Sequence, residues 1–230
     1  MIEAKGVSLR YPDGTLALKG IDLEIGTGEL VYITGPSGSG KTSLLKLLMG
    51  VEYPTSGSLK VMGQPIAKGQ EGNIRRLRKR IGPVFQEFRL IQGRTALENV
   101  MMGMRFLGLP YRQAKENAQN ALARLGLGHK ALSMVENLSW GEAQRIAIAR
   151  AVARKPRLIM ADEPTGNLDH DNALIILDLL TSFRDTNTTV IITTHATHLI
   201  GRQEHATFIR MDGGSISVER RGKAYEKSLV

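Results

Sequence analysis

Apolar residues change their spacing several times along the chain, and these changes divide it into predicted elements. Short alternating runs fill residues 2–25 around a Pro-Asp-Gly turn at 12–14, which predicts an antiparallel hairpin. A continuous β-prone run at 30–34 then stops at glycine, and residues 42–49 follow with apolar positions at helical spacing. The sequence therefore predicts a strand, a loop and a helix in direct succession.

Helical patterning replaces the β-branched runs in the middle of the chain. Residues 112–125, for example, place alanines and leucines on one stripe. We therefore predict a helical insertion over about residues 87–155, after which a parallel-sheet rhythm resumes. The later elements predicted are strands at 158–161 and 189–194, a helix around 173–183 between them, and a final hairpin of 208–211 and 215–218.

Composition narrows the class of protein. The 230 residues suffice for one α/β domain with a full core, and 42% apolar with 23% charged residues is typical of a globular protein. The absence of cysteine excludes disulfides and thiolate metal sites. No apolar run approaches the length of a membrane helix, and the first residues do not resemble a signal peptide.

A net charge of +9 favours an anionic partner such as nucleotide, nucleic acid or an acidic membrane surface. Local basic runs lie at 75–80 and 220–223. We interpret the first as a solvated helix face and the second as part of a basic tail over about 219–230, although attraction of the tail to lipid stays open.

The strongest chemical signal is a G-x-x-x-x-G-K-T string at residues 35–42, placed after a predicted strand and before a predicted helix. Glycines let successive backbone N–H groups turn towards a phosphate chain, and the helix start adds its positive dipole end. We expect Lys41 to reach the β- and γ-phosphates and the Thr42 hydroxyl to hold Mg²⁺.

Other candidate residues lie where predicted strands end. Asp162 and Glu163 follow a buried strand, so we expect Asp162 to ligate Mg²⁺ and Glu163 to polarise the attacking water, although two such acids also commonly cap a helix. His195 ends the next strand and is either a contact to the γ-phosphate or a structural histidine. Gln86 offers an amide for Mg²⁺ or the attacking water.

Residues 138–142 (Leu-Ser-Trp-Gly-Glu), followed by Ala-Gln-Arg and Ile-Ala-Ile-Ala-Arg, resemble the signature motif of ATP-binding cassette (ABC) ATPases. With the phosphate loop, Gln86, the Asp-Glu pair, residues 166–169 and His195, the motif series follows the order of that family over about residues 1–218. The resemblance implies an α/β P-loop NTPase fold, in which a RecA-like parallel-sheet core carries an N-terminal antiparallel β subdomain and the helical insertion. The whole chain, residues 1–230, is then one ATP-binding domain.

The resemblance also implies that ATP and Mg²⁺ are bound and that two copies associate head to tail around ATP. Ser139 and Gly141 of one copy then close on the γ-phosphate held by the other copy, and Asp169 lies at the shared interface. The residues assigned to the nucleotide are Tyr11 against the adenine, Gly35, Pro36, Ser37, Gly38, Ser39, Gly40, Lys41, Thr42 and Ser43 around the phosphates, and Ser139, Gly141 and Asp169. Mg²⁺ is assigned to Thr42, Gln86 and Asp162, and catalysis to Glu163, His195 and Gln86.

Trp140 departs from the family, whose signature most often has glycine at this position. Because Ser139 and Gly141 are intact, we expect activity to survive. Trp140 either packs against the helical subdomain or a neighbour, or is a surface aromatic beside the signature.

The string at residues 161–169 resembles the branch of the family that contains FtsE, LolD and MacB, and the strings at 84–92 and 94–100 look most like the FtsE group. That resemblance implies an integral membrane partner of the FtsX type and a peripheral location on the cytoplasmic side of the bacterial inner membrane. A groove near Phe88–Ile91 is the candidate docking site. Met101, Met102 and Met104 either line this groove or pack in the core.

Two other classes are less compatible with the sequence. A soluble ABC ATPase acting on nucleic acid or ribosomes suits the positive charge, but such proteins carry two cassettes or a long coiled-coil insertion, so no specific nucleic acid is expected. A small-molecule kinase has no use for the signature at 139–142. A LolD- or MacB-type transporter subunit remains the alternative within the family.

Overall fold

Ten strands and six α-helices form the part of the chain that the computed structural model describes, namely residues 1–166, 168–200 and 205–221. The strands are Ile2–Arg10 (β1), Leu16–Ile25 (β2), Leu30–Thr34 (β3), Ser56–Val61 (β4), Gln64–Pro65 (β5), Ile81–Val84 (β6), Leu158–Asp162 (β7), Thr189–Thr194 (β8), Thr207–Asp212 (β9) and Ser215–Arg220 (β10). The α-helices are Lys41–Leu48 (α1), Glu71–Arg78 (α2), Ala96–Met102 (α3), Tyr111–Arg124 (α4), Trp140–Val152 (α5) and His170–Thr181 (α6).

The smaller sheet is antiparallel, with strand order β2-β1-β4-β5. The predicted hairpin is confirmed, because β1 and β2 pair from Ile2 opposite Ile25 to Arg10 opposite Leu16. The sequence pattern did not reveal β4 or β5. Only Leu59 and Val61 of β4 are buried, so this strand offers too few apolar positions for a clear alternation.

The larger sheet has the order β10-β9-β3-β8-β7-β6 and is parallel from β9 to β6. The final predicted hairpin forms its edge, because β10 runs antiparallel to β9. Every residue of β3 and β8 is buried, which explains why both read as continuous apolar runs.

Two hydrophobic clusters cover the two faces of the larger sheet. Leu30 and Tyr32 of β3 pack with side chains of α3–α6, whereas Val31 and Ile33 pack with α1, α2 and the smaller sheet. Alternate residues of one strand therefore hold the helical region and the antiparallel region on opposite sides of the sheet.

The central region is helical, as the patterning predicts. Ala118, Ala121, Leu122 and Leu125 of the predicted stripe are buried, and Ala114 packs partly buried against the same core. Packing in the core is confirmed for Met104, which is buried, and Met101 packs partly buried against the same core, whereas Met102 is exposed.

The basic run at 75–80 lies on and after α2, where Arg75 and Arg76 are exposed and Leu77 is buried, so the interpretation as a solvated helix face is confirmed for these residues. Arg78 differs, because its guanidinium donates to the carbonyls of Met49 and Gly50 and fixes the turn after α1. Of the predicted basic tail, residues 222–230 lie outside the described ranges.

None of the helices in the described ranges combines the length and apolar character that crossing a membrane requires.

Candidate functional site

The loop between β3 and α1 is shaped by glycines that no other residue could replace without strain. Gly40, the residue before α1, has φ of +104°, and a Cβ there would lie 2.7 Å from the Ala17 carbonyl oxygen. A Cβ on Gly35 would lie 2.3 Å from the Met211 carbonyl oxygen. The loop is thus wedged between the smaller sheet and β9, with its backbone free to adopt left-handed conformations.

Lys41 lies beneath this loop and is buried despite its charge. Its Nζ atom donates to the carbonyl oxygens of Gly35 at 2.8 Å and Pro36 at 3.0 Å. Ser39 is also buried, and its hydroxyl has no hydrogen-bond partner among the described residues. Pro36, Ser37 and Gly38 form the exposed crest of the loop.

Thr42 and Asp162 meet across the site. The Thr42 hydroxyl lies 3.1 Å from Oδ2 of Asp162, and the Thr193 hydroxyl donates to Oδ1 of Asp162 at 2.8 Å. A hydroxyl and a carboxylate are the oxygen donors that Mg²⁺ prefers. No cluster of three or more acidic or histidine side chains placed to hold a metal ion occurs in residues 1–166, 168–200 and 205–221.

Glu163 faces a different set of groups from its neighbour. One carboxylate oxygen lies 3.4 Å from Lys41 Nζ, and the other lies 2.8 Å from His195 Nδ1 and 3.2 Å from the His195 backbone nitrogen. The divergence arises because Glu163 lies just past the end of β7 with φ of +45°, an uncommon backbone conformation for a non-glycine residue.

Two contacts hold the chain in this turn. The Glu163 N–H donates to the Thr193 hydroxyl at 2.9 Å, and the buried Gln144 of α5 donates from its side-chain nitrogen to the Pro164 carbonyl at 2.8 Å. Sequence reasoning missed Gln144 and Thr193 as supports. Thr193 is polar at the end of an otherwise apolar run in β8, which is a signal in the sequence, but nothing local to Gln144 indicates its target.

Tyr11 and Gln86 lie at the edge of the site and make fewer contacts within it. The Tyr11 hydroxyl lies 3.1 Å from the Ser43 hydroxyl on α1, and Lys46 Nζ lies 5.9 Å from the centre of the Tyr11 ring. Gln86 is exposed, and its amide nitrogen would lie 3.5 Å from a Cβ on Gly166. Gln86 is thus next to the loop that follows Glu163.

Ser139 begins α5 with a capping box. Its hydroxyl accepts from the Glu142 N–H at 3.3 Å, while the Glu142 carboxylate accepts from the Ser139 N–H at 2.8 Å. That backbone bond, together with Lys130 at 3.5 Å, holds the pKa of Glu142 below its ordinary value. The cap fixes the position of the Ser139 side chain at a helix N-terminus.

Gly141 and Asp169 are neighbours through Asn172. Asp169 caps α6 by accepting from the Asn172 backbone N–H at 2.9 Å and from its side-chain amide at 2.7 Å, and these bonds lower the pKa of Asp169. A Cβ on Gly141 would lie 3.5 Å from the Asn172 side-chain oxygen. Asn167, within the motif at 166–169, lies outside the described residues.

The candidate residues therefore form two groups. Residues 35–43, Asp162, Glu163 and His195 surround one centre, whereas Ser139, Gly141 and Asp169 lie along the starts of α5 and α6. Among the described residues, no hydrogen bond or ion pair joins the second group to the phosphate loop or to Glu163.

This fold and these motifs define an ATP-binding cassette, and the match to known families agrees. Residues 18–166 match the family model described as "ABC transporter". The chain belongs to this family and is an ABC-type ATPase that binds adenine nucleotide.

Within the family the chain is FtsE-like. It is 36% identical over 223 residues to the cell division ATP-binding protein FtsE of Streptococcus pneumoniae serotype 2, with 97% of each chain covered. Among solved structures it is similar to the dimeric bacterial ABC transporter cassette MJ0796, with a TM-score of 0.86, 34% identity, and coverage of 97% of this chain and 100% of that one. A second MJ0796 structure, described as a dimeric post-hydrolysis state bound to ADP and Pi, matches with a TM-score of 0.84 and 32% identity, covering 97% of this chain and 100% of that one.

Proposed function

We propose that two copies of this chain close head to tail around ATP, and that their ATP cycle drives a conformational change in an FtsX-type membrane protein during bacterial cell division. The observation that supports the proposal is that the candidate residues lie in two groups, one around the phosphate loop and the other at the starts of α5 and α6. A phosphate loop with its acid lies in one group, and Ser139 with Gly141 lies in the other, so a second copy is needed to bring donors to the γ-phosphate.

Phosphate binding rearranges the bonds of Lys41. An ammonium group has three donors, and two carbonyls and Glu163 occupy its surroundings. A phosphate oxygen carries more charge than a carbonyl and forms stronger charge-assisted bonds, so it displaces at least one of these partners. Release of Glu163 from Lys41 would leave the carboxylate available to water.

Thr42 and Asp162 would hold Mg²⁺, and Gln86, whose amide nitrogen lies by Gly166, would be a further oxygen donor. When bound, the ion supplies positive charge next to the phosphates that neutralises developing negative charge. Thr193 orients the Asp162 carboxylate through its 2.8 Å hydrogen bond.

Glu163 would polarise the attacking water and accept its proton as ADP and phosphate form. His195 holds one carboxylate oxygen of Glu163 and fixes the rotamer of the side chain. The Nε2 atom of His195 has no hydrogen-bond partner among the described residues, and it would contact the γ-phosphate.

Ser139 is suited to act across a dimer interface. A hydroxyl accepts two hydrogen bonds and donates one. Since the cap uses Ser139 only as an acceptor, its own proton is available for the γ-phosphate of the other copy. The positive end of α5 adds to this attraction.

The docking site would lie at residues 88–91, at the start of the helical subdomain that we assign to about residues 87–155. Phe88 packs on Trp140 and Leu90 packs on the core, whereas Arg89 and Ile91 are exposed. A mixed apolar and basic ledge of this kind suits a short amphipathic helix of a membrane partner. The chain would then be peripheral on the cytoplasmic side of the membrane.

A tagged Glu163→Gln variant, incubated with MgATP in gently solubilised membranes of the source organism, tests the proposal. Recovery of a membrane protein with about four apolar spans of roughly 20 residues each and one large extracytoplasmic loop would support the proposal. The Glu163→Gln, Ser139→Ala double variant is the matched bait, and it should recover less. A lipoprotein-release or macrolide-type permease would instead indicate a LolD- or MacB-type role. Salt-sensitive recovery of ribosomes or DNA alone would overturn the membrane assignment.

A further inference from the structure

Trp140 packs edge-on against Phe88. The two ring centres lie 4.5 Å apart with the planes inclined at 62°, which is a favourable aromatic geometry. Half of the Trp140 surface remains exposed. Both alternatives raised by the sequence therefore hold in part, because the side chain packs on the helical region and also faces outward.

Phe88 belongs to a segment that is tied down by its backbone. Arg150 of α5 donates to the carbonyls of Phe88 and Arg89 at 2.6 Å each, and the buried Asn99 of α3 bonds both the N–H and the carbonyl of Ile91. Phe88 and Arg89 are thereby fastened to the helix that begins at Trp140, and Ile91 is fastened to α3.

Trp140 is also the residue next to Ser139. It is the first residue of α5, with Ser139 as the cap before it and Gly141 after it. A displacement of Phe88 therefore reaches Ser139 through one side-chain contact and one peptide bond.

We propose that Trp140 is a positioning residue that joins the partner-docking segment to Ser139 through Phe88, and so sets where the signature serine meets ATP in the dimer. The inference rests on the proposed head-to-tail dimer. In a chain with glycine at position 140 this side-chain link is absent, so the variant Trp140→Gly removes it without altering Ser139 or Gly141.

Dimer formation by the Glu163→Gln protein with MgATP measures the effect without requiring turnover. Trp140→Gly and Phe88→Ala should each raise the protein concentration for half-dimerisation by about 3- to 10-fold, the range expected for an aromatic pair. The double variant should dimerise no more weakly than the weaker of the two single variants, because both changes remove the same contact. Trp140→Phe should restore most of the association, and Tyr111→Ala, which removes an aromatic that is 72% exposed, is the control.

A second readout uses the fact that the chain has a single tryptophan. Because Trp140 adjoins Ser139, closure of the dimer should cover it and shift its emission to the blue. Binding of ATP to a single copy should stay unchanged in Trp140→Gly, since Lys41 and its loop are untouched.

Each result decides the question. Three outcomes would overturn the positioning role alone. In the first, the effects of Trp140→Gly and Phe88→Ala on dimerisation multiply in the double variant. In the second, Trp140→Gly dimerises as well as the parent, and in the third it weakens ATP binding to a single copy as much as it weakens dimerisation. Failure of the Glu163→Gln parent itself to dimerise with MgATP would overturn the proposed function together with this inference.

Discussion

The Nδ1 atom of His195 lies 2.8 Å from a carboxylate oxygen of Glu163, and this contact orients the candidate catalytic carboxylate. The Glu163 side chain is largely buried, whereas His195 is mostly exposed. Glu163 therefore reaches the reacting centre from a fixed position, and His195 supports it from the open side of the site.

Glu163→Gln should lower the ATPase rate by roughly 10²- to 10⁴-fold, because the amide cannot accept the proton of water. Nucleotide affinity should be retained, and the protein should accumulate as a dimer with MgATP. Phosphate release and light scattering after gel filtration measure the two effects. Glu116→Gln, an exposed change on α4, should leave both unaltered. Hydrolysis at the normal rate by Glu163→Gln would show that another group activates the water.

Lys41→Ala should weaken ATP binding by roughly 10- to 100-fold, since a charge-assisted bond to phosphate contributes about 1.5–3 kcal/mol. Equilibrium binding of a fluorescent ATP analogue measures the loss. Lys79→Ala, an exposed change after α2, is the control for net charge. Tight binding by Lys41→Ala would contradict the role of the loop.

Thr193→Val should raise the Mg²⁺ concentration for half-maximal ATPase activity by about 10- to 100-fold, because Asp162 loses the hydrogen bond that orients it. Thr189→Val is a matched control on the same strand, since Thr189 is equally buried but bonds Gly26 and Gly28 away from the site. If both variants shift the Mg²⁺ requirement equally, the effect is one of stability and Thr193 has no specific role.

Ser139→Ala and Thr95→Ala form a second matched pair, because each residue caps a helix through the same capping-box geometry. Each change should reduce the free energy of unfolding by about 1 kcal/mol. Only Ser139→Ala should impair ATP-dependent dimerisation, since it also removes the donor for the γ-phosphate. Urea unfolding and gel filtration separate the two effects, and equal dimerisation by both variants would argue against the cross-copy site.

Acid should destabilise the fold partly through Glu142. Its pKa is lowered chiefly by the Ser139 backbone N–H and further by Lys130, so the folded state binds its proton less readily than the unfolded state. The stabilisation is therefore fully present above the ordinary pKa of 4.5 and is lost as the pH falls through the lower folded value. In a series of urea titrations, Glu142→Gln should show a shallower loss of stability between about pH 5 and 3. An unchanged slope would exclude this contribution.

Much of the fold could be predicted because many of its elements have a clear local pattern of apolar residues. The runs that became β3 and β8 are buried on both faces, and the stripe on α4 follows the helical period. By contrast, β4 escaped prediction because most of its residues are exposed. The first strands of the smaller sheet could be found because a turn separates them by only a few residues.

The sequence by itself determined the motifs and their order, the strand-loop-helix context of the phosphate loop, and the chemistry available at each strand end. These follow from side-chain type and short-range spacing. Only the tertiary structure decided that Asp162 faces Thr42 while Glu163 faces His195, that Gln144 supports the turn between them, and that Trp140 meets Phe88. The reason is physical, because these contacts join positions far apart in the chain, such as Thr42 and Asp162 at a separation of 120 residues. Which of these side chains meet depends on strand pairing and on how helices pack on the sheet, and local periodicity does not encode this.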